Sequence, residues 1–156
     1  MDIAVKITSY VSANQPWFEK LNRAWIDEYF WMEPIDQEVL SKPEQHIINT
    51  GGFIFMAHYE NEIAGTIALK FVQTDVYEFT KMAVDEKFQG KKIGKLLALA
   101  AIDKAKELNA CKIILYSNAR LITAVALYRK LGFIEVPLDG PYKRSNIKME
   151  LMLSEI

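Results

Sequence analysis

Apolar residues change their spacing several times along this chain, and each change marks a predicted element. Ile3, Val5 and Ile7 fall at every second position, the period of a half-buried strand. From Pro16 to Phe30 the spacing becomes helical, with Phe18, Leu21, Trp25 and Tyr29 on the apolar face and proline suited to the first turn. A shorter helix is predicted over Pro34 to Leu40, and Gly51-Gly52 breaks the chain before the period changes again. Phe53 to Tyr59 and Ile63 to Phe71, joined by the polar Glu60-Asn61-Glu62, form a predicted antiparallel hairpin that Val76 to Val84 extends. A helix is predicted from about Gly90 to Leu108, because Ile93, Leu97, Ala101, Ala105 and Leu108 recur every three to four residues. Lys112 to Tyr116 then reads as a strand, Leu121 to Leu131 as a helix, and Phe133 to Val136 and Ile147 to Leu153 as two more strands. Strand, helix, strand, helix in the second half requires at least one parallel crossover, so the fold is α/β or α+β with a mixed sheet.

Composition narrows the class. The 156 residues are 51% hydrophobic and 25% charged, with no repeat, low-complexity tract or linker, so residues 1–156 are expected to form a single domain. The lone cysteine, Cys111, lies in an apolar run and argues for a reducing compartment, hence a cytoplasmic protein. The start of the chain lacks the apolar core of a signal peptide, and the longest apolar run, Leu96 to Ile102, is too short to span a bilayer, so no membrane is expected. A formal net charge of −1 argues against a nucleic-acid partner.

Charge is nevertheless uneven. Lys87-Phe88-Gln89-Gly90-Lys91-Lys92-Ile93-Gly94-Lys95 sets lysines where a helix begins. A helix N-terminus carries about half a positive charge and several unpaired N–H groups, so these lysines are misplaced unless an anion joins them. A phosphate would reverse the sign, and Gly90 and Gly94 allow the backbone to approach it. The alternative is a solvated lysine-rich turn. Neither GxxxxGK[ST] nor GxGxxG opening a βαβ unit is present, which argues against a nucleotide triphosphatase or a dinucleotide-dependent oxidoreductase.

Met82-Ala83-Val84 followed by Gln89-Gly90-Lys91-Lys92-Ile93-Gly94 resembles the acetyl-CoA signature of the GNAT superfamily of N-acetyltransferases. The usual pattern is Gln/Arg-x-x-Gly-x-Gly/Ala. Lys92 replaces its first glycine, a change that keeps the backbone N–H and suits a right-handed helical start. Asn118, Leu121, Ala124 and Leu127 to Phe133 resemble the second conserved stretch, and the order of elements matches over nearly the whole chain. The resemblance implies a mixed, mostly antiparallel sheet of six to seven strands, splayed at the cofactor site and flanked by about four helices. It implies acetyl-CoA as co-substrate and no metal, an amine acceptor on a small molecule or peptide, and a monomer or homodimer. By the same resemblance Met82, Ala83 and Val84 pair with the pantetheine arm, Gln89, Gly90, Lys91, Lys92, Ile93, Gly94 and Lys95 bind the pyrophosphate, and Asn118 holds the pantetheine. Tyr128 matches the tyrosine that sits by the sulfur and protonates the departing thiolate; its alternative is a packing residue beside Leu127 and Leu131.

Glu78 lies five positions before Ala83, where some members of the superfamily carry a catalytic glutamate. Strict alternation would put Glu78, Thr80, Met82 and Val84 on one face, with the carboxylate aimed toward the amine as general base. A partner for Lys70 or Lys81 is the alternative. Trp25, Tyr29 and Glu28, within an aromatic and acidic stretch that also holds Glu33 and Asp36, suit a cationic amine or, alternatively, the core and a solvated face. His46, His58 and Cys111 have no metal-ligand spacing and read as structural, while the loop from Gly140 to Ser145 has no assigned role. Two other functions compete: a module that holds acyl-CoA without turnover, and a nucleic-acid-associated protein using the lysine cluster.

Overall fold

The computed structural model describes residues 4–139 and 144–153, and within them one seven-stranded sheet organises the chain. The strands are β1 (Lys6–Ser9), β2 (Phe53–Tyr59), β3 (Glu62–Gln73), β4 (Val76–Val84), β5 (Lys112–Ser117), β6 (Ile134–Val136) and β7 (Ile147–Met152). Their order across the sheet is β1-β2-β3-β4-β5-β7-β6, and every neighbouring pair is antiparallel except β4 and β5. Four α-helices accompany them: α1 (Gln15–Tyr29), α2 (Pro34–Ser41), α3 (Ile93–Glu107) and α4 (Ile122–Lys130). The mixed, mostly antiparallel sheet is the expected one. Ile3, expected in the first strand, and Gly140 to Lys143 of the loop lie outside the described residues.

Local chemistry explains most boundaries. Pro16 and Pro34 open α1 and α2, where a missing N–H costs nothing. Glu60 and Asn61 both take positive φ (49° and 68°), the conformation of a two-residue turn whose twist matches its flanking strands, so Tyr59 pairs directly with Glu62. Ala64 to Leu69 in β3 are all buried, because helices cover both faces of that strand. One core lies between the sheet and α3 with α4, around Ile67, Leu69, Phe79, Leu97, Ile113 and Leu115. The second lies on the other face under α1 and α2, around Phe18, Ile26, Leu40, Ile54, Met56 and Ala68. None of the described helices is long and apolar enough to cross a membrane.

Three details differ from the pattern-based expectation. A π-helical turn at Glu44–Ile48, unexpected, links α2 to the Gly51-Gly52 break. Helix α3 starts at Ile93 and not at Gly90, because Gly90 (φ 83°) and Lys92 (φ 62°) both take left-handed conformations that no helix accommodates. Lys92 thus occupies the backbone conformation a glycine would favour, which corrects the right-handed start expected for it. The third is a break in alternation along β4, described next.

Candidate active site

β4 and β5 run side by side only briefly. Their parallel pairing covers Val76, Tyr77, Glu78 and Phe79 against Lys112, Ile113, Ile114 and Leu115, then stops. Beyond Phe79, among the described residues, β4 pairs with β3 alone, through Thr80 with Ala68, Ala83 with Thr66 and Val84 with Gly65. The second backbone edge of Thr80 to Val84 therefore faces an opening wedge. An extended ligand can add to such an edge as a strand does.

A bulge sits at the throat of that wedge. Lys81 has φ 54°, and between the pairs at Thr80 and Ala83 two β4 residues oppose the single residue Ile67 of β3. The extra residue inverts the alternation. Phe79, Met82 and Val84 pack on the α3 side, whereas Lys81 reaches Asp36 of α2 on the other face. Glu78 and Thr80 therefore do not share a face with Met82 and Val84, contrary to the strict alternation expected. Glu78 lies on the Lys81 side, 6% exposed and directly across from Lys70. Burial pushes its carboxyl above the usual glutamate value, and the charges of Lys70, Lys81 and Lys148 offset only part of that.

The start of α3 closes the wedge at one end. Its N-terminus has no side-chain cap and no acidic residue in the first turn, although α3 is 15 residues long. Among the described residues neither Lys92 nor Lys95 has an acidic partner, whereas Lys87 pairs with Glu62 (2.9 Å) and Lys91 stands 5.0 Å from the centre of the Tyr59 ring. Uncapped N–H groups with unpaired cations beside them suit a phosphate. A side chain begun at Gly94 would meet Leu127 at 3.6 Å and Val84 at 3.8 Å, so α3, α4 and the end of β4 converge there. At Gly65 of β3 the same addition would meet the Ala83 carbonyl at 3.0 Å and Ile93 and Leu97 at 3.1 Å; its missing side chain lets α3 press onto β3.

Tyr128 of α4 packs into this junction. Its ring centroid lies 6.5 Å from that of Phe79 and 5.8 Å from that of Phe133, and burial pushes its phenol pKa up. Among the described residues its hydroxyl has no hydrogen-bond partner, and the residue as a whole is 7% exposed. Asn118, just after β5, is engaged: Nδ2 donates to the Arg144 carbonyl (2.6 Å) and Oδ1 accepts from the Arg120 N–H (2.9 Å).

The other candidates have partners within the protein. Trp25 donates from Nε1 to Asn22 (3.0 Å), and its ring carries the Arg144 guanidinium at 5.8 Å. Tyr29 and Glu28 are exposed, and the Phe30 ring beside Tyr29 carries Arg120 at 5.1 Å. The cations on these rings are thus the protein's own. His58 bonds Thr8 (2.9 Å) and His46 bonds Glu38 (3.2 Å). Among the described residues no three His, Cys, Asp or Glu side chains gather as metal ligands would.

Residue-pattern reasoning missed one cluster. Asp36, fully buried, receives both terminal nitrogens of Arg144 (2.5 and 2.6 Å), the Lys81 ammonium (3.1 Å) and the Glu33 N–H (3.0 Å). Burial alone would raise its pKa, but the Arg144 hydrogen bonds and the Lys81 charge outweigh that and hold it at about 2. The signal was in β4: Phe79 and Met82 are spaced by three where a regular strand spaces core residues by two.

Comparison with known proteins agrees with this architecture. The sequence profile of the Acetyltransferase (GNAT) family matches residues 10–133. An uncharacterized N-acetyltransferase of Bacillus subtilis, YvbK, is 34% identical over 113 residues, 70% of this chain and 73% of that protein. A crystal structure of a GNAT-family acetyltransferase from Staphylococcus aureus Mu50 superposes with a TM-score of 0.88 at 25% identity, covering 97% of this chain and all of that one (100%). The PaiA N-acetyltransferase of Thermoplasma acidophilum, solved in complex with coenzyme A, has the same fold, with a TM-score of 0.76, 19% identity and coverage of 96% and 99%. With its splayed sheet, uncapped α3 and profile match over most of its length, this chain belongs to the GNAT family of acetyltransferases.

Proposed function

We propose that this protein moves the acetyl group of acetyl-CoA to a primary amine of a small molecule or peptide by direct attack. The observation that carries the reading is the unpaired edge of β4 running straight to the uncapped, lysine-flanked start of α3. That edge fits an extended arm ending in phosphates, and the coenzyme A bound to the Thermoplasma relative supports the same assignment.

Acetyl-CoA supplies an activated acyl group; the chain supplies position and protons. Met82, Ala83 and Val84 offer backbone groups to the pantetheine arm, and the segment from Gln89 to Lys95 receives the pyrophosphate, with Lys92 and Lys95 contributing unpaired charge. A backbone N–H near Val84 stabilises negative charge on the carbonyl oxygen. Tyr128 stays protonated up to the departure of the sulfur because burial raises its phenol pKa; a thiol is the stronger acid, so the phenol O–H stabilises the thiolate as a hydrogen-bond donor and the proton it passes on is replaced from solvent. Glu78 is the base that takes a proton from the amine, directly or through water, since burial makes its carboxylate a stronger base than an ordinary glutamate. Asn118 orients the loop against which the arm lies. The protein acts as a monomer or homodimer, and half-buried Cys111 is compatible with a reducing, cytoplasmic setting.

The test is calorimetric titration with acetyl-CoA and free CoA at low and high salt, followed by an amine panel monitored for released thiol. Salt-sensitive micromolar binding of both, with turnover of at least one amine, is expected. A folded sample that binds neither sinks the proposal, and binding without turnover of any amine sinks its catalytic part.

A further inference from the structure

The wedge between β4 and β5 is spanned on the α2 side by a chain of side-chain hydrogen bonds. Lys81, the bulge residue on one lip, donates to Asp36, and Asp36 accepts both terminal nitrogens of Arg144. The Arg144 carbonyl in turn accepts from Asn118, which follows β5 on the other lip. The two strands are thus tied again beyond the point where their ladder ends at Phe79 and Leu115. The middle of the tie is held from several sides. Arg144 also donates to Glu33 Oε2 (3.0 Å) and lies over Trp25, and Asp36 and Lys81 are 0% and 7% exposed.

Desolvating buried charges offsets part of what their attraction returns, so stability alone does not account for such a cluster. A two-pronged Arg–carboxylate pair does fix separation and orientation. We propose that Asp36 is a positioning residue that sets the width of the β4–β5 wedge, tying Lys81 on one lip through Arg144 to Asn118 on the other. The proposal rests on the reading that acetyl-CoA occupies the wedge. Asp36 reaches that ligand only through the strands: a wider wedge spoils the backbone pairing of the arm and shifts the sulfur from Tyr128.

Asp36→Asn would strand two buried cations, so the tie is better cut at its ends, leaving the Asp36–Arg144 pair intact. Lys81→Met and Asn118→Ala are each expected to weaken acetyl-CoA binding about tenfold and to lower kcat, with the acceptor KM unchanged. The double variant should lose no more than either single one, because a tie already cut cannot be cut again. Losses that multiply to about a hundredfold in the double variant mean independent roles, and overturn the proposal. Amide hydrogen exchange of the ligand-free protein supplies a second readout. Asn118→Ala should speed exchange at Met82 to Val84, on the opposite lip, and unchanged exchange there overturns the tie even if the parent protein binds no acetyl-CoA. In that last case the cofactor reading fails separately, on the parent's own titration.

Discussion

Burial acts on Tyr128 and Glu78 with the same sign, raising both pKa values, and the consequences differ because one gives a proton and the other takes one. Tyr128→Phe keeps the ring that packs on Phe79 and Phe133 and removes only the donor, so kcat should fall about a hundredfold while CoA affinity holds in calorimetry. An unchanged kcat would assign proton delivery to another group. For Glu78 the pH dependence is informative in both activity and stability. A base works only when ionised, so kcat/KM should rise through a pKa above the ordinary glutamate value, and Glu78→Gln should abolish that limb. The folded pKa also lies above the unfolded one, so ionisation costs stability once the pH passes both. Glu78→Gln should therefore melt higher than the parent at pH 7 to 8 while losing activity, and a lower melting temperature would show that the buried carboxylate is stabilised by its lysines.

At the scale of elements, the turn into α3 holds a testable strain. Lys92 is left-handed (φ 62°), a conformation that costs a side-chain-bearing residue about 1 kcal/mol, so Lys92→Gly should raise the melting temperature by a few degrees. Removing one cation should weaken CoA binding modestly and flatten its salt dependence; a lower melting temperature would mean the strain is absent. The elements themselves were legible in the sequence because their apolar periods are strong. Helix α3 apart from its start, strands β2 to β5 and a turn at Glu60-Asn61-Glu62, which the structure narrows to Glu60 and Asn61, follow from spacing and turn chemistry. The β4 bulge was not read, since a period-two template passes over one inserted residue, and its only trace is the three-residue step from Phe79 to Met82. In the sequence Asp36 is one acid among several in its stretch. Its meaning depends on Arg144, 108 residues away, and spacing along the chain carries no record of that pairing.

Across the whole molecule, the Asp36 cluster sets an acid limit. The carboxyl titrates at about 2 in the folded chain against an ordinary 3.8, so its contribution is complete above pH 4 and disappears as the pH falls toward 2. The shift corresponds to about 2 kcal/mol, measurable as a falling urea midpoint between pH 4 and pH 2. A midpoint that stays level across that interval would show that Asp36 is not held so low.

The brevity of the β4–β5 pairing also governs the order in which the chain assembles. Strands β2, β3 and β4 meet through short connections and can zip in sequence, whereas β5 joins β4 only after α3 has crossed over, and through just four residue pairs. Closing that long loop for so little ladder is slow and late. The seam that makes room for a ligand thus closes only after α3 has crossed over, and it is held by no more residue pairs than the short β1–β2 ladder at the edge of the sheet.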